Sequence, residues 1–201
     1  MDTMKNSTLL KTFLCAVSLS GTTVFAQLGE GPWLVRVRAV NINSSNSDST
    51  GYGLTINNRS VPEVDVSYFF NRNVAVELMM MVPQEHTLYG QGLRLGTLEQ
   101  APPSLLLQYH FEAPGFKPYV GAGLNYTQFS SVKVPGFELD KSSFGAALQV
   151  GVDIPVARNL YLNLDLKKLY IGVDVYQSSG PNLGTFKIDP VLFGVGLGLR
   201  F

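Results

Sequence analysis

Strict alternation of apolar with mixed side chains, repeated eight times along the chain, most narrows what this sequence can become. Trp33, Val35, Val37 and Ala39 share one side while Arg36 and Arg38 take the other; Val64, Val66, Tyr68 and Phe70 oppose Glu63, Asp65 and Ser67. The same period runs through Val74–Met81, Ser104–Phe111, Tyr119–Thr127, Ser143–Asp153, Leu160–Lys167 and Val191–Phe201. A period of two means strands with two unlike faces, because successive side chains leave a pleated backbone on opposite sides. After residue 26 no apolar run reaches 18 residues, so a membrane-crossing helix is not available.

Connection lengths alternate too. Asn71–Asn73, Glu112–Phe116 and Pro155–Asn159 are short turns, whereas Asn43–Ser60, Pro83–Gln100, Ser130–Lys141 and Tyr176–Lys187 are long polar stretches. Short turns on one rim and long loops on the other suit an outer-membrane barrel. The expectation is an all-β, eight-stranded antiparallel transmembrane β-barrel with short periplasmic turns and longer extracellular loops.

Which face meets lipid follows from chemistry. One face is Val, Leu, Ala and aromatic; the other mixes Gly, Ser, Asn, Gln and charges, and charged residues are only 15 % of the chain against 45 % hydrophobic. A soluble barrel would put the apolar set inside; here the mixed set is assigned to the bore, where small residues fit an eight-stranded interior. A soluble ligand-binding barrel is the weaker alternative, distinguished by whether the protein needs detergent. Arg36, Arg38, Glu63, Asp65, Glu77, Asp165, Lys167 and Arg200 then form a lumen charge network of four positive and four negative groups, as burial away from water demands. Trp33, Tyr68, Phe69, Phe70, Tyr109, Phe111, Phe116, Tyr119, Tyr161 and Phe201 fall at strand ends on the short-turn side and are expected to make an interfacial girdle. Zero net charge argues against a nucleic-acid partner.

Residues 1–26 read as a cleaved signal peptide, with Lys5 and Lys11 before the apolar Phe13–Leu19 and Val24-Phe25-Ala26 at the cleavage site, leaving 27–201 as the barrel. Cys15 follows Leu14 where a lipoprotein anchor expects a small residue, which disfavours that role.

Enzyme chemistry finds little footing. The two histidines are His86, read as a solvated loop residue, and His110, read as a satisfied lumen residue; neither comes with a nucleophile and an orienting acid. So few histidines and a single cysteine leave little for a metal site, and no cofactor is implied. Gly194, Gly196 and Gly198 alternate inside a strand and do not open a helix as a phosphate loop would, and the sequon Asn125-Tyr126-Thr127 lies mid-strand.

Four segments carry a family resemblance. KPYVGAGLNYT at Lys117–Thr127, APPSLLLQYHF at Ala101–Phe111, SFGAALQVGVD at Ser143–Asp153 and IDPVLFGVGLGLRF at Ile188–Phe201 resemble the OmpW family of Gram-negative outer-membrane proteins. The resemblance implies an eight-stranded barrel in the cell outer membrane with a narrow, partly apolar bore, acting as a passive channel or capture protein for small hydrophobic molecules that leave through the wall. The alternative it carries is a structural or surface-receptor barrel with a closed bore that contacts a bacteriocin or phage. Carried onto this chain, the candidate constriction is Met79, Met81, Leu106 and Leu169, with Lys167 a charged departure where relatives carry bulky apolar residues. The same four side chains could equally fill a closed bore. Phe201, preceded by Leu199, Leu197, Val195 and Phe193 at alternate positions, resembles the C-terminal signal read by the barrel-insertion machinery. The implied partners are outer-membrane lipid, that machinery and small apolar solutes.

Overall fold

A computed structural model describes residues 31–178 and 180–201; the expected leader, Cys15 included, lies outside the described residues. In chain order the strands are β1 (Trp33–Asn43), β2 (Ser47–Asp48), β3 (Leu54–Ile56), β4 (Arg59–Phe69), β5 (Val74–Met81), β6 (Gln84–Gly90), β7 (Leu93–Ala101), β8 (Ser104–His110), β9 (Lys117–Lys133), β10 (Phe137–Leu139), β11 (Ser142–Ala157), β12 (Leu160–Leu169), β13 (Gly172–Gln177), β14 (Asn182–Lys187) and β15 (Val191–Arg200).

Eight of these are the barrel's staves, each antiparallel to the next: β1, β4, β5, β8, β9, β11, β12 and β15. β15 returns to β1 over Leu34↔Arg200 through Asn43↔Val191, so the sheet closes. Closure matters because hydrocarbon offers nothing to an unpaired strand edge. At the short-turn rim Asn71 fixes one reversal, its Oδ1 accepting from the backbone N–H groups of Asn73 and Val74 at 2.8 Å each. Gly123 of β9 lies hard against the Leu105–Leu106 backbone of β8, where an added Cβ would overlap Leu105 O, so only glycine permits that approach.

The two faces are as the alternation predicts. Leu107 is 59 % and Leu197 52 % exposed on the outer wall, whereas Glu77, Asp65 and Arg36 are fully buried inside. The girdle is real but smaller than expected. Tyr68 meets Trp33 edge-on at 4.9 Å and Phe70 at 5.4 Å, and Tyr109 meets Phe111 at 4.9 Å, all on the outer side. Phe69, Tyr119 and Tyr161 are instead buried in the bore. Position near a rim sets height, but parity along the strand sets the face, and these three have inward parity.

The long connections differ from the expectation of loops. β3, β6 and β7 carry the barrel wall upward on the extracellular side, and β10, β13, β14 and β2 form a separate four-stranded sheet. Leu54, Ile56, Leu88, Leu98, Phe129, Ile171, Val173 and Phe186 from these extensions join one apolar cluster with the upper bore. Burial of that cluster orders segments whose polar composition had suggested coil.

Candidate functional site

From the periplasmic end upward, the interior is built in layers. The mouth is a cavity of about 470 Å³ lined by Leu34, Phe69, His110, Lys117, Asp153, Tyr161 and Arg200 among others. Arg200 lies over the Phe69 ring at 3.9 Å and donates from Nε to the Gly31 carbonyl at 2.8 Å. His110 stacks on Tyr119 and its Nε2 meets Gln108 Oε1 at 3.0 Å, a satisfied lumen position.

Above the mouth a charged layer crosses the bore. Arg36 grips Asp153 through Nε (3.1 Å) and Nη2 (2.7 Å), and its Nη1 reaches Asp65 (3.0 Å) and Glu77 (3.3 Å). Arg38 pairs with Glu63 and Asp65. Lys167 Nζ reaches Asp165 at 2.6 Å and Glu63 at 2.9 Å. Neutral side chains complete the layer: Tyr119 donates to Asp165 (2.6 Å), Gln149 to Asp165 (2.7 Å), Gln108 to Glu77 (2.8 Å), and Asn163 to Asp153 (2.8 Å). Burial of charge demands such pairing, and within the layer Arg38 Nη2, Glu63 Oε2 and Asp65 Oδ2 are the atoms left without a hydrogen-bond partner. The staves contribute unequally for a steric reason. β15 offers Gly194 and Gly198, whose absent Cβ atoms leave the space that Arg38 and Arg36 side chains fill.

The structure therefore brings together Arg36, Arg38, Glu63, Asp65, Glu77, Asp165 and Lys167, seven of the eight charges assigned to the network, and places Arg200 one layer lower. Asp153 joins them, so the layer holds three cations and five carboxylates where an equal count was expected. Asp153 and Tyr119 were legible by parity, since both share the inward side of their runs. Height at the rim points Tyr119 to the girdle instead, and the expected charge balance closes without Asp153 at the end of its run.

The constriction candidates border this layer: across neighbouring staves Met79 pairs with Asp65, Met81 with Glu63 and Leu106 with Glu77. Leu106 and Leu169 belong to the apolar cluster, Met81 packs against it, and Met79 is fully buried and pairs with Ser104 across β5 and β8. Lys167 is in the charged layer two residues below Leu169.

The wall beside them is interrupted. β4 and β5 pair up to Glu63↔Met81, and β3 and β6 pair from Ile56↔Leu88, in one shared register. Between these points, Asn57–Pro62 and Val82–Thr87 carry no ladder pairing with each other among the described residues, while Arg59–Pro62 stay paired to β1 and Gln84–Thr87 to β7. Each strand also changes which parity faces inward: Glu63 and Met79 below, Ile56 and Leu88 above. A strand cannot reverse its faces without a local kink, and Pro62 and Pro83 stand in the interval. Asn57 bridges its upper end, its carbonyl 3.0 Å from His86 Nδ1 and its Oδ1 accepting from Thr87 N at 2.8 Å. On the lipid side, small Ala39, Pro62 and Gly196 leave a groove of about 630 Å³ bordered by Val37, Val61, Val195 and Leu197 and ending at the β4 lip of the interruption.

His86 corrects the sequence reading. It is buried on the inner face of β6, beside Gln100, because that supposed loop is a strand. Burial is the main cause that holds its imidazole below the ordinary value of 6.5; the Asn57 carbonyl opposes this and the Arg59 charge adds to it. Among the described residues no group of His, Cys, Asp and Glu side chains is arranged to hold a metal ion.

Comparison with known proteins agrees with this architecture. A Sinorhizobium fredii protein described as uncharacterized outer-membrane protein y4mB is 38 % identical over 186 residues, covering 86 % of this chain and 81 % of that one. The dibenzothiophene metabolism operon protein PahQ of Pseudomonas aeruginosa is 28 % identical, covering 86 % and 90 %. The crystal structure of outer membrane protein OprG from Pseudomonas aeruginosa superposes with a TM-score of 0.73 at 24 % identity, covering 86 % of this chain and 97 % of that chain. The profile of the OmpW family matches residues 30–201. With its closed eight-stave wall, apolar outside and polar inside, this chain is an outer-membrane barrel and belongs to the OmpW family.

Proposed function

We propose that the protein takes small apolar solutes from the extracellular side into its upper bore and releases them sideways through the wall into the membrane. The observation that carries this is the coincidence of two features at one height. The charged layer from Arg36 to Lys167 bars an apolar solute from the axial route, while the lapse between β4 and β6 opens beside Met81 just above it. Transfer of an apolar solute across paired, desolvated charges is unfavourable, whereas passage past Met79, Met81 and Leu106 is not. Methionine suits such a lining, being flexible and polarizable. The name of the relative PahQ, from an operon of dibenzothiophene metabolism, is in keeping with an apolar cargo. Movement is by diffusion, with no catalytic step and no cofactor. A signal peptide at residues 1–26 delivers the chain for export, and Phe201 is read by the barrel-insertion machinery. Uptake of an apolar solute into proteoliposomes tests the reading: entry faster than into protein-free vesicles is expected, and equal rates would refute it.

A second reading draws on the closed middle of the bore and the four-stranded sheet of β10, β13, β14 and β2. In it the extracellular sheet is a contact surface for a bacteriocin or phage and the bore is only a support. Deleting the β13–β14 hairpin would then abolish sensitivity to such an agent while leaving solute uptake unchanged.

A further inference from the structure

Gln84 and Gln100 face one another across β6 and β7, both on the inner side and both buried, at 5 % and 2 % exposure. Each carries a side-chain carbonyl oxygen without a hydrogen-bond partner. Native interiors leave few such groups unpaired, and each calls for an explanation. Gln84 lies in the interval where β6 loses its pairing to β4, and its Nε2 donates to Met81 Sδ at 3.4 Å. The two acceptors therefore border the path assigned above to the departing solute.

Their orientation is set by a chain of contacts. His86 Nδ1 faces the Asn57 carbonyl at 3.0 Å, and a carbonyl can only accept, so Nδ1 carries the proton. In the neutral ring Nε2 is then an acceptor, and the group 3.0 Å from it must be the Gln100 amide N–H. Gln100 Oε1 is thereby turned away from His86. Flipping the amide to satisfy that oxygen would set a carbonyl against a lone pair.

We propose that Gln84 and Gln100 form a hydrogen-bonding subsite that selects apolar solutes bearing a neutral hydroxyl, phenols and alcohols, over the corresponding hydrocarbons. The inference rests on the lateral-release reading and names its solute class. Unpaired acceptors call for a donor. A carboxylate brings only acceptors. An ammonium would be desolvated among Met81, Leu88 and Leu98, with Arg59 bearing on the same histidine. A hydroxyl on an apolar body satisfies both the oxygens and the surrounding side chains.

1-Naphthol and naphthalene are a matched pair of probes. With the purified protein in dimyristoylphosphatidylcholine nanodiscs, 1-naphthol is expected to shift the side-chain amide resonances of Gln84 and Gln100 saturably, with an affinity about tenfold above that of naphthalene, the scale of one hydrogen bond to a buried group. In Gln84→Leu/Gln100→Leu the ratio is expected to fall to about one while naphthalene affinity is kept. Gln84→Met and Gln100→Met singly should give intermediate ratios and cover the case in which the double variant does not fold. Equal affinities in the unmodified protein, absence of amide shifts, or a preference that survives both substitutions would overturn the subsite. Failure of the release reading registers elsewhere, as proteoliposome uptake of either probe no faster than in protein-free vesicles.

Discussion

Pro62 and Val82 fall opposite each other in the register shared by two neighbouring staves, yet no ladder pair joins them. The side of the missing donor can be read from the same strand. Phe69 N bonds toward β1 at Pro32 O, and Phe70 N bonds toward β5 at Val74 O. Even-numbered residues of β4 thus present their N–H groups to β5, and residue 62 would do so at Val82. Proline has none to present.

Pro62→Ala should therefore restore a donor at the lower end of the interruption and draw the strands together. The expected result is severalfold slower uptake of an apolar solute into proteoliposomes, with resistance to unfolding raised by up to about 1 kcal/mol. Unchanged uptake would place the exit elsewhere.

Lys167→Met tests the charged layer. It removes one of three cations that hold five carboxylates, leaving Asp165 and Glu63 without their Nζ contacts at 2.6 and 2.9 Å. Uncompensated buried charge is costly, so folding free energy in detergent should fall by about 3–5 kcal/mol. A loss below the scatter of urea titrations would mean that the carboxylates find other partners.

The inside-out assignment is tested by neighbours in sequence. Leu164 is on the lipid side of β12, while Asn163 beside it is buried against Arg38, Tyr119 and Asp153. Leu164→Arg should cost about 2–4 kcal/mol by exposing a cation to hydrocarbon near the midplane. Asn163→Arg should act within the bore instead, weakening the layer by setting a cation beside Arg38. Equal, small effects at both positions in folding titrations would show the faces to be misassigned.

Acidification probes His86, which belongs to the extension β6 and to none of the eight staves. Its value is depressed in the folded protein, so the unfolded chain takes up a proton first as pH falls. The stability linked to its neutral form is complete above about 6.5 and is lost as pH drops toward the lower folded value. Melting temperatures measured from pH 8 to pH 5 should decline more steeply below that point for the unmodified protein than for His86→Gln. Parallel profiles would remove His86 as the cause.

The alternation that begins at Trp33 and ends at Phe201 was enough to determine the staves, their faces and the medium on each side. A period of two is a local property that hydrocarbon and a narrow bore impose on every strand alike. Most of the charged layer was legible for the same reason, because inward parity names its members one by one. Parity names Tyr119 and Asp153 too, although height at the rim points Tyr119 to the girdle and the count of charges closes without Asp153. His86 lies beyond the pattern, because the polar composition of its segment reads as loop. Only the tertiary structure decided how Gln84 meets Gln100, and where β4 parts from the strand beside it. Both depend on register between segments far apart in the chain and on kinks whose effect appears only when two strands stand side by side.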